Sequence, residues 1–389
     1  MSAHPIGRSA AAIATAGMCA VAVLSGCGTT SVPDMSGTGV VQRPSPSSTP
    51  PPGFGDSALW SVPFISRPHV VEDGFVGVVR SDVSDSETVQ VLDDTGTPRF
   101  GVEVPAARDE FAVATVDDRE LLITEDIDDS GSGAPVAMAA RDTRTGEIVW
   151  GPVAATGCLT GSGLLIDAGC SETESPAAVA AISAADGHST DIAGAISESG
   201  GYAVAVDGDN ARIVAVATGN TAWSTDTLSP PPAAVPGSAR FVATAGNSVV
   251  VAWTIPTRTE PVQAVYRLSD AEIRWISGAR STMAVSADSS GGDTMITTAD
   301  LADDGIAVLL EQYGARGFTA DQFPGADRFT LVAGVVYGAS ESAVTAIDSA
   351  TGRVTGTSRG PAPATVTSNG VALAGDIDGY TAYKVIPHF

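Results

Sequence analysis

Histidine and cysteine are the side chains best suited to acid–base work, metal ligation or nucleophilic attack near neutral pH. The sequence has four of each. His69, His188 and His388 are far apart, show no metal-ligand spacing, and read as solvent-exposed residues. Cys158 and Cys170 flank Leu159–Gly169, where Thr160-Gly161-Ser162-Gly163 marks a turn between two strands. No histidine close in sequence could serve either thiol as a base. In an oxidising compartment the pair is expected to form a disulfide, with two buried free thiols as the alternative. Asp126-Ile127-Asp128-Asp129-Ser130-Gly131 offers oxygen ligands on Asp126, Asp128 and Ser130 before a glycine, as a calcium loop requires. Position 137 is alanine where the bidentate glutamate of such a loop would stand, so the candidate is incomplete. Asp207-Gly208-Asp209-Asn210 and Asp376-Ile377-Asp378-Gly379 are similar fragments, and clusters of this kind commonly make hairpin turns. There is no G-x-S-x-G, Walker-type loop, H-E-x-x-H or C-x-x-C. No catalytic residue and no cofactor are expected.

The two remaining cysteines lie at the N-terminus, Cys19 within an uncharged run from Ala10 to Leu24 and Cys27 just beyond it. That run is about 15 residues, short of the roughly 20 that a spanning helix needs. Arg8 precedes it, and Leu24-Ser25-Gly26-Cys27 closes it. This segment resembles the lipobox of bacterial lipoproteins, which implies diacylglyceryl transfer to the Cys27 thiol and cleavage before it. Such a group buries many methylenes at about 0.8 kcal/mol each, enough for firm anchoring. Residues 1–26 are therefore expected to be a signal peptide. Residues 27–56 are expected to be the lipidated cysteine and a linker, with Pro44-Ser45-Pro46-Ser47-Ser48-Thr49-Pro50-Pro51-Pro52 as its stiffest part. In polyproline II form this linker would span up to about 90 Å.

Residues 57–389 carry the core. The chain has 389 residues, 43% hydrophobic but only 5% aromatic, with 43 Gly and 24 Pro. That mixture suits many short strands joined by tight turns better than long helices. The balance of 45 Asp+Glu against 20 Lys+Arg argues against nucleic acid and against adhesion to anionic lipid by charge.

One segment gives these strands a period. In Ala140-Arg141-Asp142-Thr143-Arg144-Thr145-Gly146-Glu147-Ile148-Val149-Trp150 a strand ends, Asp142 to Gly146 make a tight turn, and the next strand carries a tryptophan. It resembles the tryptophan-docking motif, A-x-D-x-x-T-G-x-x-x-W, of quinoprotein-type (PQQ-like) β-propellers. Degraded copies turn near positions 96, 187, 219, 271, 314 and 352, on average about 43 residues apart, a spacing typical of four-stranded blades. Trp60, Trp150, Trp223 and Trp275 are the expected docking residues, with Phe100 and Phe318 in place of tryptophan in two copies and Gly356 in the last. Ala58–Val62 reads as an outer strand with nothing before it, and Gly370–Leu373 and Tyr380–Val385 as inner strands with nothing after them. Joining them would remove two exposed sheet edges. The expectation is an all-β propeller of four-stranded blades, eight in number with seven as the alternative, closed by its N- and C-terminal strands.

Quinone dehydrogenases of this resemblance use calcium, an acidic base and cationic groups at the cofactor, and many carry two adjacent cysteines, which this chain lacks. The resemblance therefore implies the fold more than the activity. The functional expectation is an extracytoplasmic binding or scaffold lipoprotein, held to the cell membrane by its lipid and presenting the propeller to protein or cell-wall partners. The alternative is a quinone- or calcium-dependent sugar or alcohol dehydrogenase.

Overall fold

The structure is a computed structural model. It describes residues 49–80, 86–105, 111–126, 136–155, 157–160, 163–167, 178–276, 282–287, 294–298, 306–310, 314–376 and 379–386. Strand β1 (Phe54–Val62) is followed by β2 (His69–Val71), β3 (Gly74–Arg80), β4 (Ser86–Asp93) and β5 (Pro98–Pro105), of which the last four form one antiparallel sheet. β6 (Phe111–Val116), β7 (Arg119–Asp126), β8 (Val136–Asp142) and β9 (Ile148–Ala155) form the next. Then come β10 (Cys158–Thr160), β11 (Leu165–Asp167), β12 (Ala178–Ile182), β13 (Ser189–Ser199), β14 (Tyr202–Asp207), β15 (Asn210–Ala215) and β16 (Asn220–Ser224), all in one sheet. β17 (Arg240–Ala245), β18 (Ser248–Trp253), β19 (Val262–Arg267) and β20 (Ile273–Ile276) make a four-stranded sheet. So do β21 (Thr282–Ala287), β22 (Thr294–Thr298), β23 (Ile306–Leu310) and β24 (Gly314–Phe318). β25 (Arg328–Val332), β26 (Val335–Ala339), β27 (Val344–Asp348) and β28 (Val354–Ser358) make another. The last sheet joins β29 (Pro363–Val366), β30 (Val371–Asp376) and β31 (Gly379–Val385) to β1 from the other end of the chain.

Each sheet packs on the next, and the last on the first. Contacts run β2 to β29, β5 to β7, β6 to β10, β15 to β17, β17 to β21, β21 to β25 and β25 to β29. This cyclic order is a β-propeller with one edge strand of each four-stranded sheet innermost, β29 in the closing sheet. It explains why strands such as Gly74–Arg80 are nearly continuous apolar runs, since both faces of a sheet are covered. Phe75 and Val79 face the closing sheet, in a cluster with Trp60 and Leu373, while Val76 and Val78 face the other way, in a cluster with Phe111 and Leu122.

The expected count of eight uniform four-stranded blades, or seven, is corrected. The described strands form six four-stranded sheets and one of seven strands. The cause is β13, which pairs with β12 over Ser189–Ala195 and with β14 over Ala195–Ser199. Gly194, at φ +82°, redirects the chain between the two pairings. No loop separates the sheets there, so turn markers in the sequence overcount the breaks.

The turns explain the sequence motif. The Asp142 carboxylate accepts the N–H groups of Arg144 and Thr145, and Asp348 accepts that of Thr351, so aspartate caps the loop. The turn glycine is then covered by a side chain from the preceding sheet, as a Cβ added there would lie 2.6 Å from Trp150 at Gly187, 2.7 Å from Trp60 at Gly96 and 2.9 Å from Phe100 at Gly146. The indole N–H secures three of the tryptophans: Trp60 donates to the Asp94 carbonyl (3.1 Å), Trp150 to that of Ala184 (2.6 Å) and Trp223 to that of Leu268 (2.8 Å). Trp275 is half-buried against Val250 and Val265. At the sixth sheet along the chain the sequence singles out Phe318, but Arg316 lies over Gly352 instead, and Phe318 packs edge-on to Phe323.

Closure uses the same device in altered form. β28 would dock on the turn of the closing sheet, but that turn is where the chain ends meet. Gly356 stands at the docking position, and Pro52 takes the space, 3.2 Å from a Cβ built on Gly356. Gly53, at φ +85°, accepts the Ile386 N–H at 2.9 Å, as the Arg353 carbonyl accepts the Asp348 N–H within an intact turn. Pro51 and Pro52 are buried and β1 starts at Phe54, so the last residues of the stretch read as linker belong to the folded ring.

Trp150→Ala is expected to destabilise the domain by about 3–5 kcal/mol in chemical denaturation, and a loss below about 1 kcal/mol would mean that the ring is not wedged between sheets. Shortening the chain to begin at Thr49 should leave stability unchanged, whereas beginning it at Phe54 should cost about 2 kcal/mol or more by uncovering Gly356. Equal stability of the two would remove the prolines from the closure.

Candidate functional site

Of the residues singled out in the sequence, Cys27, Asp128, Ser130, Cys170 and His388 lie outside the described residues. Asp126 ends β7, and among the described residues no group of three His, Cys, Asp or Glu could hold a metal ion. Cys158 opens β10 opposite Asp167 of β11. His188 sits exposed in a turn, its backbone N–H held by Asp186 at 3.1 Å. His69, on innermost strand β2, lies edge-on to Phe111 with ring centres 5.2 Å apart. Its side chain keeps an exposed edge while protein surrounds the ring; that loss of water, and then the positive charge of Arg67, lowers its pKa. Neither histidine meets a nucleophile or a metal-binding group, and among the described residues no two of the candidates come together as a catalytic or metal site.

A charged network ties turns of the first two sheets together. Glu72 receives the Arg144 guanidinium (2.5 Å) and donates its backbone N–H to the Glu120 carboxylate, while Asp73 pairs with Arg99. The hydrogen bond from Arg99 holds Asp73 below the usual carboxylate range. Burial pushes Glu120 up, against its hydrogen bond from Glu72. Each acid here is occupied by a neighbour, which suits a clamp between sheets rather than a ligand site.

An open cavity of about 300 Å³ lies beside the β18–β19 hairpin. Trp253 ends β18, Thr254–Pro261 form the hairpin, and the segment before β17 closes the side. Backbone and hydroxyl bonds fix the walls: Val235 N–H donates to Thr254 O (2.9 Å), Thr254 N–H to Ser238 Oγ (3.0 Å), Ser238 Oγ to Val235 O (2.7 Å) and Arg258 N–H to Ile255 O (3.0 Å). Trp253 is 1% exposed and packs with Tyr266, whose hydroxyl donates to Ser229 O. Burial pushes Tyr266 up to about 12, so it stays neutral. Trp253, Ile255 and Pro261 supply apolar lining, and Arg240, Arg258 and Glu260 supply charge. Arg240 also pairs with exposed Asp209 at 2.9 Å. The lining combines apolar and charged groups, an arrangement that can hold a small polar ligand. Sequence reading passed over this site. Its signal was a long hairpin between Trp253 and Val262 that concentrates Arg258, Glu260 and two prolines.

No family model matches the chain, and no curated protein matches it. Solved structures that resemble it include the β-propeller domain of Cps50 (Swd1) from Myceliophteria thermophila. That domain is 10% identical, with a TM-score of 0.40, over 81% of this chain and 94% of that one. KlAtg21, solved with the coiled coil of AgAtg16, is 10% identical with a TM-score of 0.42, over 84% and 95%. Saccharomyces cerevisiae Sqt1 is 13% identical with a TM-score of 0.38, over 82% and 94%.

Proposed function

We propose that this chain is an extracytoplasmic binding module, tethered to the cell membrane through a lipid on Cys27 and presenting its propeller to protein or cell-wall partners. The observation that carries the tether is Leu24-Ser25-Gly26-Cys27 at the end of an uncharged run, followed by a Pro- and Ser-rich stretch. Among the described residues no helix is long and apolar enough to cross a membrane. The tether leaves the ring where β1 begins. A four-stranded meander ends on the face where it began, so from β17 onward the innermost strands all start on one face. The β18–β19 hairpin and its cavity lie on that face, and β1 starts from the opposite one.

The docking geometry of Trp150 on Gly187 supports kinship with the PQQ-like repeat, without extending it to the cofactor chemistry of quinone enzymes. We also assign Cys158 and Cys170 to one disulfide. The antiparallel register Cys158↔Asp167 supports this, because Asp167 is three residues before Cys170 in the chain.

Cys27→Ser should move the protein from the membrane fraction to the soluble fraction or medium, or leave it unprocessed. An unchanged membrane fraction would refute the lipid anchor. Cys158→Ser should lower stability by up to about 3 kcal/mol, the loop-closure ceiling for so short a ring. Alkylation of both thiols in the denatured, unreduced wild type would exclude the bond.

A further inference from the structure

We propose that the cavity beside the β18–β19 hairpin binds a free acidic α-amino acid. The inference rests on the reading of the domain as a binding module, and adds to it the class of ligand.

The charges in the lining carry the argument. Two arginines, Arg240 and Arg258, and one acid, Glu260, are among the residues that line a single opening. Their complement is two carboxylates and one ammonium group on a small frame. Guanidinium groups favour carboxylates because their forked N–H groups can make two parallel bonds to one partner. Arg258 is exposed and has no ion pair among the described residues. Among the described residues Arg240 pairs with Asp209 alone, and the two side chains are 68% and 67% exposed. Exposed pairs of this kind contribute between zero and about 1 kcal/mol, so a ligand carboxylate can replace Asp209 at little cost.

The remaining lining fits the same ligand. At about 300 Å³ the cavity lies at the small end of ligand sites, a volume that an amino acid or a monosaccharide fills. Trp253, Ile255 and Pro261 present an apolar wall to the ligand's methylenes. Water displaced from that wall strengthens the charge pairs above it. A structural role, in which the arginines only neutralise Asp209 and Glu260, accounts for Arg240 but leaves Arg258 without a partner.

The full chain, purified in detergent, would be titrated by calorimetry with L-glutamate, glutarate and L-glutamine. Saturable binding of glutamate is expected, with glutarate and glutamine at least about tenfold weaker. Arg258→Ala should weaken glutamate by about tenfold or more, and Glu260→Gln should weaken glutamate while leaving glutarate unchanged. Arg258→Lys, with the melting temperature of each unliganded variant, separates lost binding from lost folding. The proposal is overturned by no saturation with any probe at about 10 mM, by equal affinity for glutarate and glutamate, or by Arg258→Ala binding as the wild type does. None of these outcomes bears on the membrane fractionation of Cys27→Ser, so tether and ligand fail separately.

Discussion

A ring laid on a glycine holds this molecule together. Each docking side chain leaves the outer strand of one sheet and covers a turn residue of the next that has no side chain to obstruct it, as Trp150 does at Gly187 and Trp60 at Gly96. The contact works only if the turn residue lacks a Cβ or the turn is displaced and, for a tryptophan, only if the indole N–H finds a carbonyl. Both conditions are met at Trp60 and Trp150, and the hydrogen bonds to Asp94 and Ala184 prevent a buried donor from going unpaired. Sheets that share no backbone hydrogen bond are thereby placed at a fixed separation and angle.

The exceptions follow the same constraint. Ala271 stands where a turn glycine is found in other copies and adopts φ +61°, in a turn whose Leu268 carbonyl receives Trp223. Arg316 covers Gly352 with a guanidinium instead of an aromatic ring. At the closing sheet no turn exists to dock on, and the chain substitutes Pro52 and Gly53 against Gly356. Closure thus has two parts: the pairing of β1 with β31, which removes two open edges, and a proline plug that completes the last seam.

Much of this was legible in the residues themselves. Gly146 and Trp150, four apart, mark a turn and the strand after it, and an isolated outer strand at Trp60 calls for partners at the other end of the chain. The number of sheets was not legible, because β13 passes from one pairing to the next through Gly194, and a glycine inside a strand looks like any other bulge. The interval from Gly187 to Gly219 is the shortest between turn markers, which is the trace that the missing loop left in the sequence. Gly356 looked like a decayed repeat, although its lack of a side chain makes room for Pro52. The cavity at Arg240 and Arg258 escaped because its charged residues come from separate segments that only the fold brings together.

Amide hydrogen exchange on the intact protein tests the closed ring most directly. If β1 is the fourth strand of the closing sheet, its amides between Phe54 and Val62 exchange as slowly as those of β30 and β31, and only through global unfolding. Exchange of β1 at the rate of a frayed terminus, with β30 and β31 still protected, would contradict the account.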